Sequence, residues 1–205
     1  MNDLVTVTGS RAASAYGEHV AAELAGDLAN RERVLVAGGA YGVEAAVHHA
    51  VLAAGGDTIA VLAGGVDRPY PSGHRELLDR VGDVGALVSE LPPGSVPTRH
   101  RFLARSRLLG AISAATVVVE AGARSGALRV AIEARQLGRQ VGAGPVTSVT
   151  SHGPHDLLRT GHARLVTSAA DVEELTADRA TQRPGLSAEF TQHRGPTAGP
   201  PERSL

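Results

Sequence analysis

Val34-Leu35-Val36-Ala37-Gly38-Gly39-Ala40-Tyr41-Gly42-Val43-Glu44-Ala45-Ala46-Val47-His48 is the stretch that decides the fold. A short β-branched run, a turn with three glycines and an alanine-rich segment of helical period follow one another without a break, which reads as strand, turn and helix. Outward from it the same unit recurs. Further β-branched runs lie at Leu4–Val7, Thr58–Leu62, Ala86–Val88, Thr116–Val119, Gln140–Gly142 and Arg164–Val166. Helical segments alternate with them at Tyr16–Asn30, Gly42–Ala54, Arg75–Val81, Phe102–Ala114, Gly126–Leu137, Pro154–Arg159 and Ala170–Leu175. This alternation predicts an α/β fold with a doubly wound, mainly parallel sheet and helices on both faces, in the Rossmann manner. The continuous apolar run Val117-Val118-Val119 agrees, because a parallel strand is covered on both sides.

The pattern is expected to occupy residues 1–176 as one domain. The remainder, 177–205, with Arg183-Pro184-Gly185 and Arg194-Gly195-Pro196 through Arg203, is rich in proline, glycine and polar residues and is expected to be disordered. Length and composition fit that division, since 205 residues with 42% hydrophobic and 20% charged can bury a real core. The formal charge of −1 gives no global field to attract a nucleic acid or a membrane, so any such partner must be met locally. Residues 99–139 supply a local excess: eight arginines stand against Glu120 and Glu133. All basic side chains are arginine, so a phosphate site here uses planar forks. The absence of cysteine excludes disulfides, thiolate metal sites and cysteine nucleophiles, and fits a cytoplasmic protein. The N-terminus enters a strand directly, so no signal peptide is expected, and no apolar run approaches the ~18 residues of a membrane span.

In a parallel sheet, ligands bind beyond the carboxyl ends of the strands, so the residues that follow each strand carry the chemistry. Gly9-Ser10-Arg11 offers a tight turn, a hydroxyl and a guanidinium, although an ordinary strand-to-helix turn explains it too. Gly38-Gly39-Ala40-Tyr41-Gly42 has the glycines of an anion-cradling nest at a helix N-terminus. Its spacing differs from the dinucleotide fingerprint and no Walker lysine follows, which excludes a plain NAD enzyme and a P-loop NTPase. His48 falls four residues after Glu44, but one such pair lacks a third ligand, so a hydrogen-bonded structural histidine is expected and no metal or cofactor. Ser125 can cap the next helix, and Gly126 leaves its N-terminus open to an anion.

Arg99-His100-Arg101-Phe102-Leu103-Ala104-Arg105-Ser106-Arg107 is the most unusual stretch. Four arginines sit at the start of a helix without a carboxylate, where positive charge opposes the macrodipole unless an anion is held there. Tyr16, Tyr41, Tyr70 and Phe102 also fall just after strands, where stacking platforms for nucleobases would stand beside the arginines.

Gly9-Ser10-Arg11, the glycine turn running to His48, Thr58-Ile59-Ala60-Val61-Leu62-Ala63-Gly64-Gly65-Val66-Asp67 with Tyr70-Pro71, Ser89-Glu90, Phe102 with Arg105 and Arg107, and Glu120-Ala121 with Ser125-Gly126 resemble, in order, the Rossmann-like domain of the DNA-processing protein A (DprA/Smf) family. The likeness spans about residues 4–168. It implies a non-enzymatic protein that binds single-stranded DNA in DNA uptake, natural transformation and homologous recombination, loads the RecA recombinase and forms a homodimer. Carried across by position, Arg11 and Arg99 would contact phosphate, Phe102 would stack on a base, and Arg105 and Arg107 would shape the pocket. Gly9, Ser10, Gly39, Tyr41, Gly42, Ser125 and Gly126 complete the expected DNA- and phosphate-binding set. The chain departs from the family pattern at Ala37, Glu44 and Ser106, where serine, aspartate and asparagine are usual, and at Gly142-Ala143-Gly144-Pro145, where a Pro-Gly turn is expected. Full-length members often carry a helical domain before this one and a winged helix after it, so the chain reads as the core alone.

Two other classes share the glycine-rich turns: phosphoribohydrolases acting on nucleoside monophosphates, and nucleotide-binding regulatory modules. The first usually show a Pro-Gly-Gly-x-Gly-Thr run and a catalytic glutamate, where this chain has Ala121-Gly122-Ala123-Arg124-Ser125-Gly126, with Glu133 the nearest helical carboxylate.

Overall fold

The computed structural model describes residues 4–144 and 151–181. Seven strands, β1 (Leu4–Thr8), β2 (Val34–Gly38), β3 (Thr58–Val61), β4 (Ala86–Val88), β5 (Ala115–Val118), β6 (Gln140–Ala143) and β7 (Arg164–Leu165), form one sheet in the order β4-β3-β2-β1-β5-β6-β7. Every pairing is parallel. Between the strands lie α1 (Ala15–Asn30), α2 (Val43–Ala53), α3 (Arg75–Val84), α4 (Arg99–Ile112), α5 (Gly126–Gln136) and α6 (His152–Arg159), and α7 (Ala169–Thr181) closes the series.

Strand side chains alternate between two cores. Val5, Val7, Leu35, Ala37 and Val117 meet α1, α2 and α7 on one face through Leu24, Leu28, Val47, Val51, Val172 and Leu175. Ala60, in register with Ala37, carries α3 on the same side through Leu78 and Val81. Their neighbours Val36, Val61 and Val118 point the other way, onto Leu109 of α4, Val130 of α5 and Leu157 of α6. The α4–α5 pair packs closely because Gly110 has no side chain: a Cβ there would lie 2.7 Å from Ala134 N and 3.0 Å from Val130 O. Backbones can approach that far only at glycine.

α4 and α7 depart most from the bounds that the apolar spacing predicts. α4 starts at Arg99 and not Phe102, because Thr98 caps it, its hydroxyl accepting from Arg101 N at 3.3 Å while Phe102 N donates to Thr98 O at 3.0 Å. It stops at Ile112, since Ala114 N already donates to Leu4 O at 2.9 Å and the Ser113 hydroxyl lies 2.6 Å from that of Thr6. α7 runs on to Thr181, beyond Leu175. Of the tail expected from 177 onward, residues 177–181 are the end of α7, and residues 182–205, like Pro145 of the expected turn, lie outside the described residues.

The strand order reverses between β1 and β5. Such a reversal leaves a crevice at the carboxyl edge, because the loops after the two central strands leave toward opposite faces. The loop 9–14 and the loop 119–125 flank that crevice, and α4 overhangs it from the second face.

Candidate functional site

The crevice is a cleft of about 1030 Å³ lined by Thr8, Gly9, Ser10 and Arg11 from the first loop, by Arg99, Phe102, Arg105 and Ser106 from α4, and by Arg124, Ser125, Gly126 and Arg129 at the start of α5. Tyr70 and the segment Val96–Thr98 complete its wall. Three parts of the chain remote in sequence thus deliver guanidinium groups to one lip.

These arginines are not equivalent. Arg11, Arg99 and Arg124 are exposed, and none forms an ion pair among the described residues. Arg105 is buried, 9% exposed, with Nη2 3.4 Å from Glu44 Oε1 and Nη1 donating to Val61 O at 3.1 Å. Arg129 lies 3.3 Å from Glu133. Phe102 stands among them: the Arg11 guanidinium carbon is 4.5 Å from its ring centroid, that of Arg105 is 5.3 Å away, and Tyr70 meets it edge-on at 5.9 Å. Cation–π attraction over such a ring is worth about 0.5–1 kcal/mol where the cation is exposed.

Of the residues predicted from sequence, Gly9, Ser10, Arg11, Arg99, Phe102, Arg105, Ser125 and Gly126 are brought together here. Gly39, Tyr41, Gly42 and Arg107 are not among the lining residues. Arg107 follows Arg105 by two positions, about 200° round the helix, and is ion-paired with Glu90 outside the cleft. The glycine turn faces protein: a Cβ at Gly42 would lie 2.3 Å from Ser10 O, and one at Gly39 3.0 Å from Tyr70 O. The amides expected to cradle a phosphate are used internally, Ala40 N donating to Glu44 Oε2 at 3.0 Å and Val43 N to Ser10 O at 3.1 Å. Tyr41 is exposed and packs edge-on against His74, with centroids 4.2 Å apart. Gly126, by contrast, has open space around its α-carbon, so the start of α5 can be approached from the cleft.

Sequence reasoning missed Arg124 as a member of the site, whereas Tyr70, one of the aromatics expected on this rim, does line it. Arg124 had been counted only as local charge, although it follows β5 and the rule that picked Arg11 applies to it equally. Glu44 lines the cleft as well, a position that its spacing to His48 does not reveal. His48 is the hydrogen-bonded structural histidine expected: it turns inward, fully buried, with Nε2 3.0 Å from Gly38 O and Nδ1 2.8 Å from the Thr58 hydroxyl. Burial pushes its pKa down from 6.5 to about 4, so it is a neutral structural group.

A second buried carboxylate supports the first loop. Glu120 takes the Ser14 hydroxyl at 2.7 Å and Ser14 N at 3.1 Å, while Ser10 N donates to Glu120 O at 2.6 Å. Ser14 also caps α1, accepting from Gly17 N at 3.0 Å. The N-terminus of α1 is thereby neutralised from within.

The family model described as DNA recombination-mediator protein A matches residues 1–177. The putative DNA processing protein DprA of Mycobacterium tuberculosis is 58% identical over 170 residues, covering 82% of this chain and 43% of that protein. DprA of Streptococcus pneumoniae is 39% identical over 170 residues, covering 82% of this chain and 60% of the relative. The chain therefore spans about two fifths to three fifths of these relatives. The solved structure of the pneumococcal protein superposes with a TM-score of 0.77 at 38% identity over 83% of this chain and 60% of that one. A structure of Helicobacter pylori DNA processing protein A, reported for its single-stranded DNA binding mode, gives a TM-score of 0.76 at 26% identity over 85% of this chain and 80% of that one.

Proposed function

Because the chain belongs to the DNA recombination-mediator protein A family, we propose that its rim cleft binds single-stranded DNA, in DNA uptake for transformation and in homologous recombination. The observation that carries this reading is that three exposed guanidiniums, Arg11, Arg99 and Arg124, line one cleft with the Phe102 ring at the strand-order reversal, Arg11 lying over the ring itself. Phosphates bridge the arginines and the open start of α5, and a base stacks on Phe102 once Arg11 leaves the ring for a phosphate. Stacking tolerates any base, so the site is selective for single strands and indifferent to sequence.

Binding without catalysis is the simpler chemistry for this cleft. Glu44 is the one carboxylate among its described lining residues, and Thr8, Ala40 and Arg105 already hold it. A phosphoribohydrolase needs a carboxylate free to act on the ribose; free base released from a nucleoside monophosphate would overturn the binding reading. Following the family, the proposal extends to a cytoplasmic homodimer that loads RecA, with oligomeric state read by sedimentation velocity. No helix among the described residues is long and apolar enough to cross a membrane.

The test is a titration of labelled single- and double-stranded oligonucleotides over a range of salt. Three neutralised phosphates give a log-log slope of about −2 for the single strand. Arg11→Ala and Arg99→Ala should each flatten it by about 0.7, while Phe102→Ala should weaken binding by about 1–3 kcal/mol with the slope intact. Equal slopes for all three variants, or no preference for the single strand, would refute the assignment.

A further inference from the structure

We propose that Glu44 is the positioning residue of the cleft: its buried carboxylate fixes Arg105 beside the Phe102 ring and cancels that charge, leaving Arg11, Arg99 and Arg124 to meet the phosphates. The inference rests on the single-stranded DNA reading and deepens it.

The carboxylate is held from three sides. Thr8 Oγ1, at the end of β1, donates to Oε1 at 3.1 Å; Ala40 N, in the turn after β2, donates to Oε2 at 3.0 Å; Arg105 Nη2, from α4, lies 3.4 Å from Oε1. One side chain therefore ties together the first loop, the glycine turn and the overhanging helix. Arg105 is fixed further by Val61 O at the end of β3. Its Nε is buried without a hydrogen-bond partner, and its guanidinium carbon stands 5.3 Å from the centre of Phe102.

The backbone is shaped around this pair. A Cβ at Gly38 would lie 2.2 Å from Arg105 Nη1 and 2.4 Å from Glu44 Oε2, so the two side chains occupy the space a larger residue would fill. Two charges so buried are costly to separate, because removal of either leaves the other uncompensated. Arg105 is for that reason a poor donor to an incoming phosphate, which would have to displace a carboxylate already seated against it. Its remaining contact is with the aromatic ring. The arginine that the sequence places at the heart of the basic stretch acts on the ring, and the polyanion is left to its exposed neighbours.

The experiment measures the salt slope for a labelled single-stranded oligonucleotide, with a cooperative thermal melt confirming that each variant is folded. Glu44→Gln keeps the shape and removes the charge, so Arg105 becomes available to phosphate and the slope should steepen by about 0.7. Glu44→Asp retains the carboxylate and should restore the wild-type slope. In the double variant Glu44→Gln/Arg105→Met no charge is left unpaired, so it carries the test if Glu44→Gln does not fold. It should keep the wild-type slope while binding about tenfold more weakly, as the Phe102 platform loosens. A Glu44→Gln slope equal to wild type, or a double-variant slope flattened by about 0.7, would overturn the proposal. Failure of the wild-type protein to bind the oligonucleotide would instead sink the reading on which it rests.

Discussion

Gly42→Ala tests whether the glycine turn serves the site by seating the first loop. Gly42 adopts φ 71° and ψ −129°, a conformation that costs a residue with a side chain about 1–3 kcal/mol. A Cβ there would stand 2.3 Å from Ser10 O and 2.7 Å from Arg11 O, so the loop must retreat. Its anchors are the bonds from Ser10 N to Glu120 O and from Val43 N to Ser10 O. Their loss adds about 1–3 kcal/mol. At roughly 2–4 °C per kcal/mol for a protein of this size, the melting temperature should fall by roughly 5–20 °C. Gly55 provides the control, since it has φ 71° but open space around its α-carbon. Gly55→Ala should lose only the conformational part and bind the oligonucleotide as wild type does. Gly42→Ala, assayed well below its melting temperature, should bind more weakly and with a flatter salt slope, because Arg11 has moved. Equal melting losses in the two variants, or wild-type affinity in Gly42→Ala, would refute the reasoning.

Stability should fall on acidification through His48. Its pKa is 6.5 when unfolded and about 4 in the fold, so the unfolded chain binds the proton first and stability drops as pH goes from 6.5 to 4, by roughly 3 kcal/mol in total. Urea unfolding at intervals across that window should show a steeper loss for wild type than for His48→Gln, and parallel profiles would refute it; His49, shifted the same way by partial burial, contributes equally to both. Ser14→Ala should cost roughly 2–4 kcal/mol, because it removes the α1 cap and deprives buried Glu120 of a hydroxyl donor. A urea midpoint within error of wild type would show that water replaces the serine.

Much of this molecule was legible because a parallel sheet places every strand's carboxyl end on one edge. Reading the residue after each strand found Arg11, Ser125 and, through the connection after β4, Arg99 and Phe102, with no knowledge of the strand order. What could not be read was which arginines are free. Arg105 and Glu44 are 61 positions apart and meet only because α4 crosses the end of β2, so a local count of charges credits the first without debiting the second. The glycine turn failed for a related reason. It has the geometry of an anion nest, but the anion is Glu44, supplied four residues later by the same helix.

The remaining question is why α4 tolerates its first turn. Arg99 and Arg101 precede any acidic residue, and the helix begins on Thr98 alone, so cations sit where the macrodipole is itself positive. Arg101 finds a carbonyl, its Nη1 2.5 Å from Val96 O, and later in the helix Arg105 and Arg107 have Glu44 and Glu90. Arg99 has no ion-pair partner among the described residues, and it lies on the cleft side. An internal carboxylate in its place would stabilise the helix more cheaply, as Glu120 does for α1. Leaving the lip cationic is stabilising only when the missing negative charge arrives from outside, and a chain of phosphates brings several to the cleft that Arg11, Arg99 and Arg124 share. If that is the reason, Arg99→Glu should raise the melting temperature of the free protein and abolish oligonucleotide binding together. A variant that loses both stability and binding would mean that Arg99 serves the fold.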